Sequence, residues 1–344
     1  MAAVLHLERT EENVAEIDAL AGLLGARGGG RIGVEGLLGE LGRRARRTAA
    51  PHPRLLGLAV SRALTWEAAD RRDQNWWPQG ISNSAHTGVD REVLVVSWYA
   101  KNDQGSRVSV LDLAAKRYEH VLLVTPTVVD GRPGTRPLKV HAGGIVWHGP
   151  YLHVAATGKG FLTCRVDDLM RVPEGSPLET YGHRYLLPVR FAYKAVTDEG
   201  YERLRYSFMS LDRSADPPEL LIGEYGNAKQ TRRIARFPTA DDSCLLATDD
   251  DGRSRPALVD QPGATRMQGA VVVDGTYYVT TSHGPWTPGS VHVGTPGAFR
   301  RRRWATPIGP EDLAWWGDQG LLWSVTEHPR RRWIVGMAKS RLDG

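Results

Sequence analysis

One pattern of alternating apolar and polar residues recurs five times along this chain, and it constrains the fold more than any other feature. Each copy reads as a strand, a tight turn, a second strand, a polar turn and a third strand, with a weaker fourth strand in the linker that follows. No long helical periodicity separates the copies, which excludes helical solenoids and α/β folds. The copies begin at Gln79-Gly-Ile, His141-Ala-Gly-Gly-Ile, Leu204-Arg-Tyr-Ser, Gln268-Gly-Ala-Val and Pro310-Glu-Asp-Leu.

A repeated four-stranded antiparallel unit predicts an all-β fold, a five-bladed β-propeller of four-stranded antiparallel blades that occupies residues 51–344. The fifth copy lacks a fourth strand of its own at its C-terminal end. Residues 55–60 are apolar enough to supply that strand from the other end of the chain. Such a strand would close the ring and remove the exposed edges of an open sheet.

Residues 1–50 differ from the rest because their apolar side chains recur at helical spacing. They predict a short N-terminal helical arm, followed by the basic cluster Arg43, Arg44, Arg46 and Arg47. We interpret the arm either as a docking segment for a partner protein or as a helical cap on the main domain. No aromatic residues are interleaved with the basic ones and no apolar run is long enough to span a membrane, so the expected partners include no nucleic acid and no membrane. The net charge of +5 and the absence of a signal-type segment predict a cytoplasmic protein.

In a propeller, the start of each innermost strand and the turn after each second strand point to the same end of the central channel. The repeats therefore predict a ring of facing residues at that end. The strand starts contribute Gln79, His141, Tyr206, Gln268, Glu311 and Asp312. The turns contribute Trp98, Tyr99, Thr157, Lys159, Glu224, Tyr225, Ser282, His283, Glu327 and His328. The opposite end has mostly Gly, Pro and Asp hairpins, so we expect the binding site at the first end.

Four residues of this ring are candidates for proton transfer, namely Glu224, His283, Glu311 and His328. The two histidines occupy matching positions in their copies, as do Glu224 and Glu327, which favours general acid–base chemistry. The candidate substrate-binding residues are Trp76, Trp77, Gln79, Trp98, Tyr99, His141, Tyr225, Gln268, Asp312 and Glu327. Structural alternatives stay open, because acids at the start of a strand can satisfy backbone amides and glutamines can join neighbouring blades by hydrogen bonds.

Several motifs carry a family resemblance, namely Gln79-Gly-Ile, His141-Ala-Gly-Gly-Ile, Leu221-Ile-Gly-Glu-Tyr, Met267-Gln-Gly-Ala and Gly309-Pro-Glu-Asp-Leu with Trp323-Ser-Val-Thr-Glu-His. Over residues 70–340 the chain resembles an uncharacterised group of actinobacterial β-propeller proteins. More distantly, the Pro310-Glu311 entry is similar to gluconolactonase and strictosidine-synthase-like propellers, which have six blades. That resemblance implies that Glu311 is a metal ligand or a catalytic acid.

The expected function is that of a cofactor-independent lyase or cyclase. Acid–base groups around the channel mouth would act on an apolar small molecule, in ring formation of a secondary metabolite of terpenoid or alkaloid type. No nucleotide-binding glycine motif, nucleophile elbow or HExxH motif is present. One alternative is a metal-dependent, lactonase-like hydrolase with a divalent metal at Glu311 and Asp312. Another is a non-catalytic scaffold that binds a protein partner.

Overall fold

The computed structural model describes residues 4–50, 56–241, 243–260 and 262–344. Within these ranges, its N-terminal part combines three helices with several short strands rather than helices alone. These elements are β1 (Leu5–Arg9), α1 (Val14–Gly25), β2 (Gly30–Arg31), α2 (Gly33–Leu38), β3 (Arg43–Arg44), β4 (Arg46–Arg47), β5 (Val60–Thr65) and α3 (Ala68–Arg72). No helix in the described ranges is long and apolar enough to cross a membrane.

The strands that follow form consecutive antiparallel runs, which we call units 1 to 5. Unit 1 contains β6 (Trp76–Asn83), β7 (Val93–Ala100), β8 (Ser106–Asp112) and β9 (Arg117–Val129), with β10 (Arg132–Pro137) paired to β9. Unit 2 contains β11 (Ile145–His148), β12 (Tyr151–Ala155), β13 (Gly160–Arg165) and β15 (Tyr185–Thr197), with the short β14 (Met170–Arg171) paired to β15. The outer strands β9 and β15 pair in parallel and join the two units into one sheet.

Units 3 and 4 are separate four-stranded sheets, and unit 5 takes one strand from the N-terminal part. Unit 3 contains β16 (Phe208–Asp212), β17 (Glu219–Gly223), β18 (Ile234–Pro238) and β19 (Leu258–Asp260). Unit 4 contains β20 (Met267–Val273), β21 (Thr276–Thr281), β22 (Ser290–Gly294) and β23 (Arg300–Arg302). Unit 5 contains β24 (Pro310–Trp316), β25 (Leu321–Thr326), β26 (Trp333–Ala338) and β5, and the short helix α4 (Ser340–Asp343) follows it.

The units close into a ring. The first strands contact one another in order, from β6 to β11, β16, β20 and β24, and β24 contacts β6 again. Strand β5 completes unit 5 by pairing antiparallel with β26, Thr65 opposite Trp333. The closing strand is therefore Val60–Thr65 and not residues 55–60, of which Leu55 lies outside the described residues. A ring of antiparallel sheets closed in this way has the arrangement of a β-propeller.

Close backbone contact between neighbouring units explains the paired glycines of the second copy. A Cβ atom on Gly144 would lie 2.1 Å from the backbone nitrogen of Met209 in unit 3, and one on Gly143 would lie 2.1 Å from the carbonyl oxygen of Ser207. No side chain fits at either position. The Gly-Gly sequence thus allows β11 to approach β16 directly at the centre of the ring.

The N-terminal part packs on the ring through both helices and strands. The segment predicted to be a helical arm contains α1 and α2, and Ile17, Leu20 and Leu24 of α1 are fully buried in the same apolar cluster as Trp66 and Trp323. Strand β1 extends unit 2 by pairing with β15. The basic cluster forms no helix end: β3 pairs with β9, and β4 pairs with β5.

Candidate functional site

A cavity of about 560 Å³ opens at one end of the ring, where the innermost strands begin. It contains seven of the sixteen residues that the repeat alignment predicted to face one another. Its lining residues are Gln79, His141, Gly143, Thr157, Arg205, Ser207, Tyr225, Gln230, Gln268, Glu311 and Glu327. We call it the central cavity.

Irregularities in three inner strands aim side chains into this cavity. The pairing register shifts between Pro78 and Ile81 in β6, between Met267 and Gly269 in β20, and between Pro310 and Leu313 in β24. A bulge of this kind redirects the residue inside it. The three bulges contain Gln79, Gln268 and Glu311, and all three line the cavity.

Glu311 has the most perturbed environment of the cavity carboxyl groups. It is 4% exposed, and its backbone oxygen accepts hydrogen bonds from the hydroxyls of Thr280 (2.8 Å) and Ser324 (3.3 Å). Burial raises the pKa of its carboxyl well above the ordinary value, and the negative charges of Glu327 and Asp312 raise it further. Burial therefore favours the protonated form of this carboxyl group, which can donate a proton.

Glu327 follows β25 and faces the same cavity in a more polar setting. Burial raises its pKa, but a hydrogen bond from Gln79 and the positive charges of Lys101 and Arg332 oppose that shift. Trp77 positions these cations, since the Lys101 amine lies 3.4 Å and the Arg332 guanidinium 5.7 Å from ring centroids of this tryptophan. Glu327 is consequently the better proton acceptor of the two glutamates.

Three further predicted residues flank this pair. The rings of Tyr99 and His141 are 4.5 Å apart, which places an aromatic wall beside the carboxyl groups. Burial raises the pKa of Tyr99, and Glu327 and Glu311 raise it further, so its hydroxyl stays a hydrogen-bond donor. His328 lies next to Glu327, with 3.8 Å between its Nδ1 and the carboxylate Oε1, and its ring is 6.1 Å from that of Trp77.

Asp312 points away from the cavity into the centre of the ring. Its Oδ2 accepts hydrogen bonds from the backbone N–H groups of Ile81 (3.3 Å) in unit 1 and Ile145 (3.4 Å) in unit 2. Burial raises its pKa well above the ordinary value, although the backbone hydrogen bonds oppose the shift. Asp312 thus joins units 1, 2 and 5. It satisfies backbone amides, which is the structural alternative that the sequence left open for acids at the start of a strand.

The divalent metal considered for Glu311 and Asp312 does not fit these residues. One oxygen of Asp312 already accepts two backbone hydrogen bonds. Across the described ranges, no group of three or more His, Cys, Asp or Glu side chains is arranged to hold a metal ion.

Beyond Asp312 the central channel narrows. Near the far end of the channel, Arg213 donates hydrogen bonds to the carbonyl oxygens of Ala85 (3.0 Å) and Trp147 (3.3 Å).

Glu224 does not line the cavity. It is fully buried and forms an ion pair with Arg233 at 2.9 Å, and it accepts backbone hydrogen bonds from Arg205 (3.1 Å) and Arg233 (2.9 Å). Burial raises its pKa, but the contacts with Arg233 lower it more, so the net shift is downward. Its carboxylate holds together the chain segments that form one wall of the cavity.

Three other candidates also lie outside the central cavity. Trp76 and Trp98 are buried in the apolar core, where the Arg107 guanidinium lies 4.4 Å and 4.9 Å from their ring centroids. The side chain of Trp98 points between the sheets because it alternates with Tyr99, which faces the channel end. His283 lines a neighbouring pocket together with Arg301.

The alignment missed Arg205, Ser207 and Gln230. It named Tyr206 at the start of the third inner strand, but that residue is 1% exposed and belongs to the core, while its two neighbours line the cavity. A register error of one residue exchanges the two faces of an extended segment. The polar types of Arg205 and Ser207, on either side of an aromatic residue, were the available signal.

No protein-family model and no curated protein matches this chain. Among solved structures, it is similar to a gluconolactonase from Xanthomonas campestris at 16% identity, with 87% of this chain and 85% of that chain covered and a TM-score of 0.38. A Cps50 (Swd1) β-propeller domain from Myceliophteria thermophila is 12% identical, with 77% and 98% covered and a TM-score of 0.39. A thermostable family-43 glycoside hydrolase is 10% identical, with 77% and 89% covered and a TM-score of 0.40.

Proposed function

We propose that units 1 to 5 are the blades of one five-bladed propeller, and that the central cavity is an active site for acid–base catalysis on a small molecule. Glu311 is the general acid and Glu327 the general base. The observation that carries the proposal is that two carboxyl groups share one cavity and that burial raises both pKa values, strongly for Glu311 and against opposing contacts for Glu327. Such divergent pairs are typical of enzymes that transfer protons near neutral pH.

The two roles follow from what surrounds each group. Glu311 is buried beside other acids and carries the proton, so it can protonate a leaving group or a double bond. Glu327 receives a hydrogen bond from Gln79 and lies near Lys101 and Arg332, which stabilise its ionised form. It can remove a proton from the substrate or from a water molecule. Return of that proton to Glu311 completes the cycle.

The lining favours a polar substrate with several hydroxyl or carbonyl groups. The residues that line the central cavity include glutamines, a serine, a threonine, an arginine and a tyrosine. None of the described lining residues has an aliphatic side chain. A polyhydroxylated molecule can satisfy such donors and acceptors, whereas an apolar ligand would leave them unpaired at a cost of about 1–3 kcal/mol each. We therefore favour a polar substrate over the apolar one expected from the sequence.

The pair Glu311 and Glu327 can serve the lyase or cyclase reaction expected from the sequence, and it can equally serve hydrolysis of an acetal or a lactone. The polar lining favours hydrolysis, because both bond types occur in hydroxylated substrates. A panel of aryl glycosides and aldonolactones, with products identified by mass spectrometry, separates the two reactions. Cleavage adds the elements of water to the products, while elimination or ring closure does not.

The test compares Glu311→Gln and Glu327→Gln with Glu92→Gln. Glu92 is an exposed residue that lies near the opposite end of the ring, where it accepts a hydrogen bond from Gln319. Loss of either catalytic carboxyl should lower turnover by about 10²–10⁴-fold, and the control should match the wild type. Wild-type turnover in Glu311→Gln would refute the assignment.

The protonation state of Glu311 can be measured without a substrate. Infrared spectroscopy of the wild type at neutral pH should show the carbonyl stretch of protonated carboxylic acids, and Glu311→Gln should lose the part of that absorption that belongs to Glu311, while any contribution of the buried Asp312 remains. An identical spectrum in the two proteins would mean that Glu311 is ionised and cannot act as the acid.

A further inference from the structure

A second pocket, of about 690 Å³, lies beside the central cavity and is positively charged. Its cationic residues are Lys229, Arg266 and Arg301, and no aspartate or glutamate belongs to its lining. Within the described ranges, none of the three takes part in an ion pair with a carboxylate of the protein. We call it the basic pocket. The remaining lining residues are Asn227, Ala228, Thr265, His283 and His292.

Arg301 is held in place by neutral partners. Its Nε donates to Ser290 Oγ (3.0 Å) and its Nη2 donates to Nε2 of His283 (2.9 Å), which is itself 2.9 Å from Ser290 Oγ. Neutral partners fix the guanidinium without cancelling its charge. A guanidinium prepared in this way suits the oxygen atoms of a phosphate or sulfate group.

Strand β23 directs this arginine into the pocket by alternation. Arg300 and Arg302 point to the other side, where they donate hydrogen bonds to carbonyl oxygens of Asp343 (3.0 Å) and Leu342 (2.7 Å). Arg301 pairs in register with His292 of β22, and both line the pocket. Of the three arginines in β23, two therefore form structural contacts and one is available to a ligand.

The histidines respond to the positive field of the pocket. Burial lowers the pKa of His283, and the charges of Arg301 and Arg266 lower it further. Burial and Arg301 lower the pKa of His292 to about 4. Both imidazoles are thus neutral at pH 7 and add hydrogen-bonding capacity beside the unpaired cations.

The two pockets share their walls. In the segment 225–230, Tyr225 and Gln230 line the central cavity while residues 227–229 line the basic pocket. The start of β20 divides in the same way, since Arg266 lines the basic pocket and Gln268 the central cavity. The two pockets are therefore neighbours.

We propose that the basic pocket is an anion subsite that binds the phosphate or sulfate group of a small molecule whose uncharged part occupies the central cavity. The second half of this statement rests on the proposed function, whereas anion binding itself does not. The proposal names the substrate class as hydroxylated molecules with a phosphate or sulfate ester.

Calorimetric titration of the full chain with inorganic phosphate and with sulfate tests the subsite. Arg301→Gln and Lys229→Gln should each weaken binding about tenfold or more, because each removes a charged hydrogen-bond donor. Lys229 lies in an exposed segment, so its substitution tests the proposal even if Arg301→Gln disturbs the packing of Ser290 and His283. Arg303→Gln is the matched control, since Arg303 is exposed in the same basic run and does not line the pocket.

The outcomes separate the two proposals. Phosphate binding that survives in Glu311→Gln and Arg303→Gln but is lost in Arg301→Gln supports the subsite, whatever the turnover assay shows. No binding to the wild type, or equal weakening by Arg303→Gln, would overturn it. Displacement of phosphate by a single-stranded oligonucleotide, with equal loss of oligonucleotide binding in Arg303→Gln, would also overturn it and would indicate a nucleic-acid surface instead.

Discussion

Asp70 connects the closing strand to unit 1, and its substitution should weaken the whole ring. The residue lies in α3, between β5 and β6, and is 5% exposed. Its carboxylate accepts a hydrogen bond from the Tyr118 hydroxyl and lies 3.1 Å from His120 Nε2, 3.5 Å from Arg107 Nη2 and 3.4 Å from Arg43 Nη1. Burial raises its pKa, but the hydrogen bond from His120 and the charge of Arg107 lower it more, so the net pKa lies well below the ordinary value.

The Asp70→Asn variant keeps the shape of the side chain and removes its charge. Arg107 is 5% exposed, and burial lowers its pKa only to about 10, so it would remain as an unpaired buried cation at neutral pH. Breaking a buried ion pair in this way costs about 3–5 kcal/mol. With an unfolding entropy of about 2.1 cal/mol/K per residue over 344 residues, the melting temperature should fall by about 4–7 °C.

Scanning calorimetry of Asp70→Asn and Asp251→Asn provides the comparison. Asp251 also forms ion pairs with two arginines, Arg253 and Arg255, but it is exposed to water, which screens them. The control should melt close to the wild type. Because the folded pKa of Asp70 is lowered, its contribution is present above the unfolded pKa of about 3.8 and disappears as the pH falls through the folded value. An unchanged melting temperature in Asp70→Asn, or an equal fall in the control, would refute this reasoning.

Three further predictions concern the site, the N-terminal part and the ring centre. Because the folded pKa of Glu311 is raised, the wild type should lose stability as the pH rises from the unfolded pKa of about 4.5 through the folded pKa. Glu311→Gln should show a flatter dependence of melting temperature on pH. Parallel pH curves for the two proteins would contradict this prediction. Leu20→Ala should cost about 2–5 kcal/mol in chemical denaturation, whereas Val14→Ala, at a partly exposed position of the same helix, should cost much less. Gly144→Ala should prevent folding as judged by circular dichroism, while Gly158→Ala, where a Cβ meets no atom within 4 Å, should fold.

The repeated pattern predicted the strands well, because alternation and turn residues are local properties of the sequence. Gln79, Gln268 and Glu311 occupy the same position in their repeats, and all three line the central cavity. The β-bulges that aim them were not predicted. A bulge depends on how two strands pair, and the sequence of one strand does not encode its partner's register.

The errors arose where one residue of register or a distant partner decides the outcome. Tyr206 and Trp98 belong to the core because each faces the opposite side from the neighbour that reaches the channel end. Glu224 matched Glu327 in the alignment, but its carboxylate pairs with Arg233, a residue outside the motif. Alignment of repeats gives equivalent positions, and the charged partner at each position decides whether a carboxylate is free for chemistry.

Arg332 shows that ring closure and the proposed active site depend on each other. The side chain is fully buried, and its Nη1 donates to the Asp70 carbonyl oxygen (2.7 Å) while its Nε donates to the Glu327 carbonyl oxygen (2.8 Å). One guanidinium thus joins α3, which follows the closing strand β5, to the backbone of the proposed base. Since the charge of Arg332 also stabilises the ionised form of Glu327, a displacement of α3 would change both the position and the pKa of that base. If Glu327 is the base, as proposed, the N-terminal part supports catalysis from a distance, because it contains α3, to which Arg332 donates a hydrogen bond.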